Sequence, residues 1–433
     1  MDQMQYRDGQ LFCEQVNLDD LAARAGTPLY VYSRRTLIDH LDGLMQAFAA
    51  VDPLICYSIK SCGNLHILRL LAQRGAGMDV VSGGELYRAR EAGVDGGRIV
   101  YAGVGKTDAE IRMALEAGIG WFNIESEAEF ENIAAIARQM RRQASAALRV
   151  NPDVDARTHA KTTTGKKETK FGVDLERAHR FFERYGKDAH LHLSALHMHI
   201  GSPIYTVEPY VEAVEKALQL IADLKATGVA ITALDLGGGF GADYEERQTP
   251  PYAAYADKLV PLLKPFVAQG GRLILEPGRT IVANAGVLLT RVQYIKMGGA
   301  KKFVIVDSGM NHLIRPTLYD SFHFIWPTRV TPMHQPKTRH RAMHQQGLEK
   351  CDVVGPICET GDYFARDRAL PPVARGDLLA VFTAGAYGMV MASNYNAQPR
   401  PAEVLVDGAQ ATIIRPRETY DDLVAPERHA QPL

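Results

Sequence analysis

Lys60 is the residue whose position in this chain most directly suggests chemistry. It comes three residues after the apolar run at 54–57, which predicts a buried strand. A lysine held away from water at the end of such a strand is a candidate nucleophile that forms a Schiff base with a carbonyl compound. The alternative is a lysine whose ammonium group extends past the strand end into solvent. The other motifs of the sequence favour the first interpretation.

Three consecutive glycines, Gly237, Gly238 and Gly239, directly follow another predicted strand. Without side chains, their backbone N–H groups can approach a phosphate group closely. A tight turn between a strand and a helix is the alternative reason for glycine here. The spacing is not that of a dinucleotide fingerprint or of a P-loop, so nucleotide binding is disfavoured.

The segment Glu276-Pro277-Gly278-Arg279 follows the next predicted strand. Proline and glycine predict a rigid, tight turn that directs the carboxylate and the guanidinium toward the same end of the sheet. A salt-bridged surface turn is the alternative.

Two histidines, His197 and His199, share one side of a predicted strand because side chains alternate along it. A pair of metal ligands is one interpretation, although a third ligand is not obvious. In the other, His199 stacks on a flat cofactor ring and His197 is a core histidine.

Short apolar runs alternate with helical patterns, such as those at 65–73, 84–92 and 211–226, between about residues 50 and 285. This alternation is typical of repeated βα units that build a parallel sheet. Eight runs favour a closed (β/α)8 barrel over the structural alternative, an open doubly wound sheet. The candidate residues follow the ends of these runs, and such ends form the catalytic face of a barrel. The predicted strands are 54–57, 78–81, 99–101, 121–124, 147–150, 194–199, 233–236 and 273–275.

The pattern of apolar and polar residues changes after about residue 285. Alternating β-branched residues at 302–306 and 378–382, with turn residues between them, predict a mainly antiparallel β domain. The segment 333–346 is polar and rich in histidine. Because it has no carboxylate and no regular histidine spacing, a solvated loop is favoured over a metal site.

The composition narrows the classes of function. With 433 residues, the chain is long enough for two domains. Its net charge of −1 argues against nucleic acid or an anionic membrane as the main partner, so a small molecule is expected. The polar N-terminus and the lack of a long apolar run predict a cytoplasmic protein. Five cysteines without paired metal spacing make a disulfide framework improbable, and they are Cys13, Cys56, Cys62, Cys351 and Cys358.

The ordered motifs resemble those of the diaminopimelate decarboxylases, a branch of the fold-type III decarboxylases that depend on pyridoxal phosphate. The resemblance spans roughly residues 25–420, and a chance match to so many motifs in order is implausible. Ser58 departs from the pattern, since the family usually has alanine or proline there. The matching motifs are Tyr57-Ser-Ile-Lys60, Asp79-Val-Val-Ser-Gly-Gly-Glu85, Lys170-Phe-Gly172, His197-x-His199-Ile-Gly-Ser202, the triple glycine, Glu276-Pro-Gly-Arg279, Arg315-Pro-x-x-Tyr319, Cys358-Glu-x-Gly-Asp362 and Gly385-Ala-Tyr387.

The resemblance implies a pyridoxal 5'-phosphate cofactor bound covalently to Lys60. His199 would stack on the ring, and Glu276 would bond the pyridine nitrogen. A carboxylate at that nitrogen favours the protonated ring, which is a strong electron sink. No metal ion is implied. The other positions that the resemblance assigns to cofactor binding are Asp79, Ser202, Gly237, Gly238, Gly239, Gly278, Arg279 and Tyr387.

The activity implied is decarboxylation of meso-2,6-diaminoheptanedioate (meso-diaminopimelate) to L-lysine and CO2, the last step of lysine biosynthesis. Recognition of the distal end of this substrate needs a planar fork for a carboxylate and an acid for an ammonium group. The alternative activity is that of a related ornithine, arginine or lysine decarboxylase. Decarboxylases that act on ornithine or arginine need no such carboxylate clamp. The positions assigned to the substrate are Arg279, Arg315, Tyr319, Glu359 and Tyr387.

Cys358 is the proton donor implied by the resemblance, and Lys60 and His199 are the other catalytic residues. In the family, the Cys358 segment reaches the active site of a partner subunit, so a homodimer with shared sites is expected. A buried, inert cysteine is the alternative. An amino-acid racemase would use arginine in place of Glu276. A non-catalytic relative would have lost the lysine, the thiol or the clamp, and all three are present.

Pattern and resemblance together predict four segments of the chain. Residues 1–35 join the β domain, 36–285 form the barrel that binds the cofactor, 286–420 form the β domain and 421–433 are a loose tail.

Overall fold

The computed structural model describes residues 2–155, 170–245 and 248–429. Two compact units divide the chain. One comprises Met1–Asp39, Ala242–Gln248 and Ile281–Leu433, and the other comprises His40–Gly241 and Thr249–Thr280. We call the first the β unit and the second the barrel unit.

The strands are β1 (Met4–Arg7), β2 (Gln10–Cys13), β3 (Val16–Asn17), β4 (Leu29–Ser33), β5 (Leu54–Ser58), β6 (Gly77–Val80), β7 (Ile99–Tyr101), β8 (Trp121–Ile124), β9 (Ala144–Asn151), β10 (Val173–Asp174), β11 (Leu191–His197), β12 (Ala233–Asp235), β13 (Arg272–Leu275), β14 (Gly286–Gly298), β15 (Lys301–Val306), β16 (Ile325–Pro327), β17 (Glu349–Val354), β18 (Tyr363–Leu370), β19 (Leu378–Val381), β20 (Ala402–Asp407) and β21 (Gln410–Arg415). The α-helices are α1 (Leu18–Ala25), α2 (Arg34–Ala47), α3 (Leu65–Gln73), α4 (Gly83–Glu91), α5 (Asp108–Ala117), α6 (Glu127–Gln139), α7 (Leu175–Tyr185), α8 (Glu208–Ala226), α9 (Tyr252–Ala268), α10 (Arg279–Val282), α11 (Arg315–Tyr319) and α12 (Tyr420–Val424).

The barrel unit holds a closed parallel sheet in the order β5-β6-β7-β8-β9-β11-β12-β13. The ring closes because β13 pairs with β5, with Ile274 opposite Leu54 and Leu275 opposite Ile55. The predicted (β/α)8 barrel is thereby confirmed, and the open doubly wound sheet is excluded. The short β10 pairs with β9 outside this ring.

Local sequence signals account for most element boundaries in the barrel unit. Asn64 accepts a hydrogen bond from His66 N at the start of α3, and Thr107 forms a capping box with Glu110 at the start of α5. The strands pack apolar side chains into the barrel interior, where Cys56, Val100 and others are fully buried.

Two strands begin earlier than predicted. The run predicted at 147–150 is β9, which begins at Ala144 and ends at Asn151. The run predicted at 194–199 is β11, which begins at Leu191 and ends at His197. Its register against β9 shifts between Leu193 and Ala195. Such an irregularity breaks the strict alternation that a sequence pattern needs, so the first residues of the strand escaped the prediction.

The β unit is built on a mainly antiparallel sheet in the order β18-β17-β15-β14-β4-β20-β21, with β19 also on β14 and β16 on β19. The pairs β15–β17 and β4–β20 are parallel. The N-terminal β4 lies between β14 and β20, so the N-terminal segment joins this sheet as expected. A separate three-stranded sheet contains β1, β2 and β3.

A short helix lies at the start of the segment predicted as a tail. This helix is α12, which starts with a capping box between Thr419 and Asp422. Its first turn is acidic, and acidic side chains there stabilise the positive end of a helix dipole.

Among the described helices, none combines the length and the apolar character that a bilayer crossing requires. All five cysteines are free thiols, and Cys358 alone among them is exposed. The predicted loop at 333–346 is mostly exposed, and its His340 lies 3.2 Å from a carboxylate oxygen of Glu245.

Candidate active site

Lys60 lies in a single helical turn, Ile59–Ser61, directly after β5. Its Nζ lies 2.6 Å from Oδ2 of Asp79, a fully buried carboxylate on the neighbouring β6. Ser58 and Asp79 are paired in register across these strands, and the Ser58 hydroxyl also donates to this carboxylate. The side chain of Lys60 is 35% exposed, so the amine is partly accessible while its charge is paired. The serine that departs from the family pattern therefore helps to fix Asp79.

The carboxyl group of Asp79 has a raised pKa. Burial is the main cause, repulsion by Glu276 adds to it, and the attraction of Lys60 opposes both. Asp79 therefore takes up a proton more readily than an exposed aspartate does.

Glu276 is a buried carboxylate with a polar partner at each oxygen. Its Oε1 accepts a hydrogen bond of 3.0 Å from Asn123 Nδ2, and its Oε2 lies 3.2 Å from Nε2 of His197. Burial alone would raise the pKa of Glu276, but the attraction of His197 and Lys60 outweighs it and lowers the pKa. Glu276 is therefore an ionised carboxylate inside the barrel.

Asp235 lies next to this carboxylate and behaves in the opposite way. Burial, followed by repulsion from Glu276, raises the pKa of Asp235 well above the usual range, so of these two carboxyl groups Asp235 takes up a proton more readily. His197, Asp235 and Glu276 each have a side-chain nitrogen or oxygen that could bind a metal ion, and these three atoms lie within 4.8 Å of one another. His197, left open by the sequence as a metal ligand or a core histidine, is a buried hydrogen-bond partner of Glu276.

Three backbone turns pack against one another at this end of the barrel. Ser58 N donates to Pro277 O at 3.0 Å, which joins the Lys60 turn to the Glu276 turn. Glu276 N donates to Gly237 O at 2.8 Å, which joins the second turn to the glycine turn. A Cβ at Gly278 would lie 2.8 Å from the Ser58 Cβ, so a side chain there would separate the first two turns. The sequence prediction that these motifs share one end of the barrel agrees with these contacts.

The glycine turn is needed for close packing. Gly237 has a φ of +66° and Gly239 a φ of +100°, which other residues rarely adopt. A Cβ at Gly238 would overlap the carbonyl oxygen of Glu276, and one at Gly237 would overlap that of Met198. Both reasons proposed for glycine, tight geometry and an accessible backbone, are compatible with this turn.

His199 follows β11 and faces the glycine turn. Its Nδ1 accepts a hydrogen bond of 3.3 Å from Gly238 N, which leaves the proton on Nε2. Burial, with the positive charges of Arg149 and Lys60, lowers the pKa of His199 well below its usual value. The ring is therefore neutral.

Arg279 and Ser202 supply the polar groups beside these turns. Arg279 is 6% exposed and its Nε donates to Ser202 Oγ at 3.2 Å. A buried guanidinium and a hydroxyl next to glycine backbone are suited to an anion with several oxygens.

The other predicted site residues belong to the β unit. Arg315 begins α11 and is 6% exposed. Its Nη2 donates to Ser321 Oγ at 3.1 Å, and its guanidinium lies 5.0 Å from the ring centre of Tyr244 and 5.9 Å from that of Tyr319. The flat group is held between aromatic faces, which orients it as a fork.

The loop of Cys358 is tied to the same region of the β unit. The buried Asp362 accepts hydrogen bonds of 2.6 Å from Met310 N and from Ile357 N. Thr317, on α11, donates to Gly361 O at 2.7 Å. Cys358 and Glu359 are both exposed on this loop, which places them where a second molecule can reach.

Tyr387 lies in an irregular segment of the β unit and has a φ of +54°, as does Asn396 further on. Asn396 Oδ1 accepts a hydrogen bond of 2.8 Å from Cys358 N. Non-glycine residues in this conformation are uncommon and concentrate at functional sites.

Sequence reasoning missed two features of the barrel interior. Asn123 lies within the apolar strand β8 and is fully buried, and a polar residue in such a run is the signal that could have found it. The second is the buried pair of Arg149 and Glu125, joined at 2.8 Å, in which Glu125 also accepts a 2.7 Å bond from Gly172 N. This pair fixes the Lys170-Phe-Gly172 motif at its glycine.

Comparisons with known proteins identify the family to which this chain is similar. Residues 34–283 match the family described as the pyridoxal-binding domain of pyridoxal-dependent decarboxylases. The diaminopimelate decarboxylase of Aquifex aeolicus is 46% identical over 98% of this chain and 97% of its own length.

Two solved structures are similar over almost their full length. The diaminopimelate decarboxylase of Helicobacter pylori complexed with L-lysine is 39% identical with a TM-score of 0.87, covering 95% of this chain and 99% of that one. That of M. jannaschii with L-lysine is 36% identical with a TM-score of 0.91, covering 99% and 98%. The chain therefore belongs to the diaminopimelate decarboxylase family of pyridoxal-dependent enzymes.

Proposed function

We propose that this protein removes CO2 from meso-2,6-diaminoheptanedioate to give L-lysine, using pyridoxal 5'-phosphate. The observation that carries the proposal is the joining of the Lys60 turn to the turn of an ionised, buried Glu276. The substrate follows from relatives named as diaminopimelate decarboxylases over nearly the full chain.

The residues of the barrel unit fit this cofactor. Glu276 is a buried anion able to accept a hydrogen bond from a protonated ring nitrogen. The Gly237–Gly239 turn, Ser202, Gly278 and Arg279 would hold the phosphate group, and the neutral His199 would lie against the ring. Asp79 would orient Lys60, to which the cofactor is attached. When bound, the cofactor supplies an electron-poor ring that accepts the electron pair left behind as CO2 departs.

The residues of the chain have distinct tasks in the reaction. Lys60 would hold the cofactor through its amine and release it to the amine of the substrate, while Asp79, 2.6 Å from Nζ, would accept or return a proton at that nitrogen. Glu276 keeps the ring nitrogen protonated because an anion there stabilises the positive charge. A proton then replaces the lost carboxyl group at the same carbon. The C–C bond to the carboxylate breaks as CO2 leaves, and a C–H bond forms in its place, so the substrate has the same atoms as lysine and CO2 together.

We propose that residues of the β unit bind the distal end of the substrate. Arg315 would bind the distal carboxylate with its oriented fork, and Glu359 would bind the distal ammonium group. Tyr319 and Tyr387 would complete the contacts. A substrate without a distal carboxylate has no acceptor for this planar fork, which disfavours ornithine and arginine.

Cys358 is proposed as the proton donor, from a second copy of the chain. Its exposure on the β unit and its thiol chemistry support this role. A homodimer with shared active sites follows from it, and we place the enzyme in the cytoplasm with the rest of amino-acid biosynthesis.

Replacement of Arg315 by methionine should raise KM for meso-diaminopimelate about 100-fold, because a charged bidentate bond is lost in a buried place. The loss of kcat should be much smaller. Initial rates over a range of substrate concentrations measure both constants, and Arg366→Met, an exposed arginine of the same unit, is the matched control. An unchanged KM in Arg315→Met would remove Arg315 from the substrate site.

Replacement of Cys358 by alanine should lower kcat by on the order of 10²-fold while cofactor content stays at wild-type level. Alanine cannot deliver a proton, but no cofactor contact is lost. Cys358→Ser, which keeps the size with a far weaker acid, should be nearly as slow. Full turnover by either variant would show that another group supplies the proton.

The direct test of the function is release of CO2 and L-lysine by cofactor-loaded protein. Meso-diaminopimelate, its LL and DD isomers, ornithine, arginine and lysine are assayed side by side. Equal amounts of CO2 and L-lysine from the meso isomer, with little CO2 from the others, are expected. Turnover of ornithine, arginine or lysine instead would identify the chain as a related basic amino-acid decarboxylase.

A further inference from the structure

The surroundings of Glu276 contain more polar groups than a contact to one ring nitrogen requires. Both of its oxygens already have protein partners, Asn123 at 3.0 Å and His197 at 3.2 Å. Both partners are at most 1% exposed. A carboxylate held at both oxygens by buried side chains has one orientation and little freedom to rotate.

These partners also have an unpaired polar atom. Within the described residues, Asn123 Oδ1 and His197 Nδ1 are buried without a hydrogen-bond partner. Each such atom lowers the stability of the fold, because it loses its hydration without gaining a hydrogen bond. An apolar side chain in either strand would avoid this cost, so the retained polar groups point to a gain at Glu276.

Neither residue has another evident task. Asn123 projects from β8, whose other residues form an apolar run, and His197 is the last residue of β11. The two strands are separated in the barrel by β9. Two donors from different strands that meet at one carboxylate form a built site rather than a local turn.

The charges in this group favour the same arrangement. Asp235, on the neighbouring strand β12, has a raised pKa, so of the two adjacent carboxyl groups it takes up a proton more readily than Glu276. Two N–H donors stabilise the anionic form of Glu276 over its protonated form. The anion is the form that can accept a hydrogen bond from a protonated ring nitrogen.

We propose that Asn123 and His197 are positioning residues that hold Glu276 as an oriented anion against the ring nitrogen of the cofactor. They act through Glu276 and do not touch the reacting atoms. The inference rests on the proposed function, since it assigns Glu276 to the ring nitrogen.

The test uses the cofactor-loaded full chain and the variants Asn123→Leu and His197→Leu. Loss of one hydrogen bond to a charged group should lower kcat about 10- to 100-fold with KM changed less than about 2-fold. The visible absorption band of the bound cofactor should shift in both variants, because its position reports the charge on the ring. His197→Gln, which can return an N–H donor, should restore part of the rate. Asn132→Leu, the same change at an exposed asparagine of α6, is the control.

A double-variant comparison separates positioning from folding. If Asn123 acts through Glu276, Asn123→Leu should cause no further loss of kcat in a Glu276→Gln background. An equal loss in both backgrounds, or a fall in kcat with an unshifted absorption band, would overturn the inference. If the wild-type protein binds the cofactor but releases no CO2, the proposed function fails, while the absorption shift still decides the role of Asn123 and His197. A variant that does not fold is replaced by Asn123→Ala, which removes the donor with less crowding.

Discussion

Lys60→Ala is expected to abolish decarboxylation, with a fall in kcat of roughly 10³-fold or more. Lys60 is proposed to bind the cofactor covalently and to exchange its amine with that of the substrate. The methyl side chain of alanine has no amine and can do neither. The change also leaves the carboxylate of Asp79 buried without its ion-pair partner, at 2.6 Å in the native chain, so stability should fall as well.

Lys60→Arg distinguishes the two effects. Arginine keeps a positive charge for Asp79 but is a poor nucleophile, so this variant should fold well and remain inactive. Lys264→Ala, at an exposed lysine of α9, should behave like the wild type. Rates and cofactor content are measured for all three. Activity of Lys60→Arg above about a tenth of wild type would rule out Lys60 as the attachment site.

Glu276→Gln is expected to lower kcat by about 10²- to 10³-fold, because the ring nitrogen loses the anion that keeps it protonated. Glutamine retains the size of glutamate and can still bond Asn123 or His197, so binding of the cofactor should persist. Glu276→Arg, with a positive charge in the same place, should be slower still. Rate measurements and the absorption spectrum of the bound cofactor check both variants.

Glu212→Gln, at an exposed position of α8 where the side chain pairs with Lys216, is the matched control. It should leave the rate unchanged. A Glu276→Gln enzyme with wild-type kcat would show that the ring nitrogen is not activated by this carboxylate, and the explanation of the electron sink would then be wrong.

The barrel could be predicted from the sequence because its strands are short apolar runs that alternate with helices, several of which start at a capping residue. The runs at 99–101 and 121–124 match β7 and β8 to the residue, and α3 matches its predicted bounds. The turn residues at Lys60 and Glu276 could be found because a charged side chain directly after an apolar strand is unusual. The irregular start of β11 could not, since a register shift leaves no periodic signal.

The partners of those charged residues were harder to predict than the residues themselves. Asp79 pairs with Lys60 because β6 lies beside β5, and Asn123 reaches Glu276 from β8 across the barrel. Both contacts depend on the closed three-dimensional ring, which sequence spacing does not encode. In the β unit, the link between Thr317 and Gly361 joins segments about forty residues apart in the same way.

The central claim is that Lys60 holds the cofactor at the end of the barrel, and reductive trapping tests it most directly. Cofactor-loaded protein is treated with borohydride, digested and analysed by peptide mass spectrometry. The reduced cofactor should be found on the peptide that contains Lys60, and the trapped protein should be inactive. If the added mass of the reduced cofactor is found on another lysine, such as Lys106, the claim is wrong. The claim is also wrong if an active enzyme yields no peptide with this added mass.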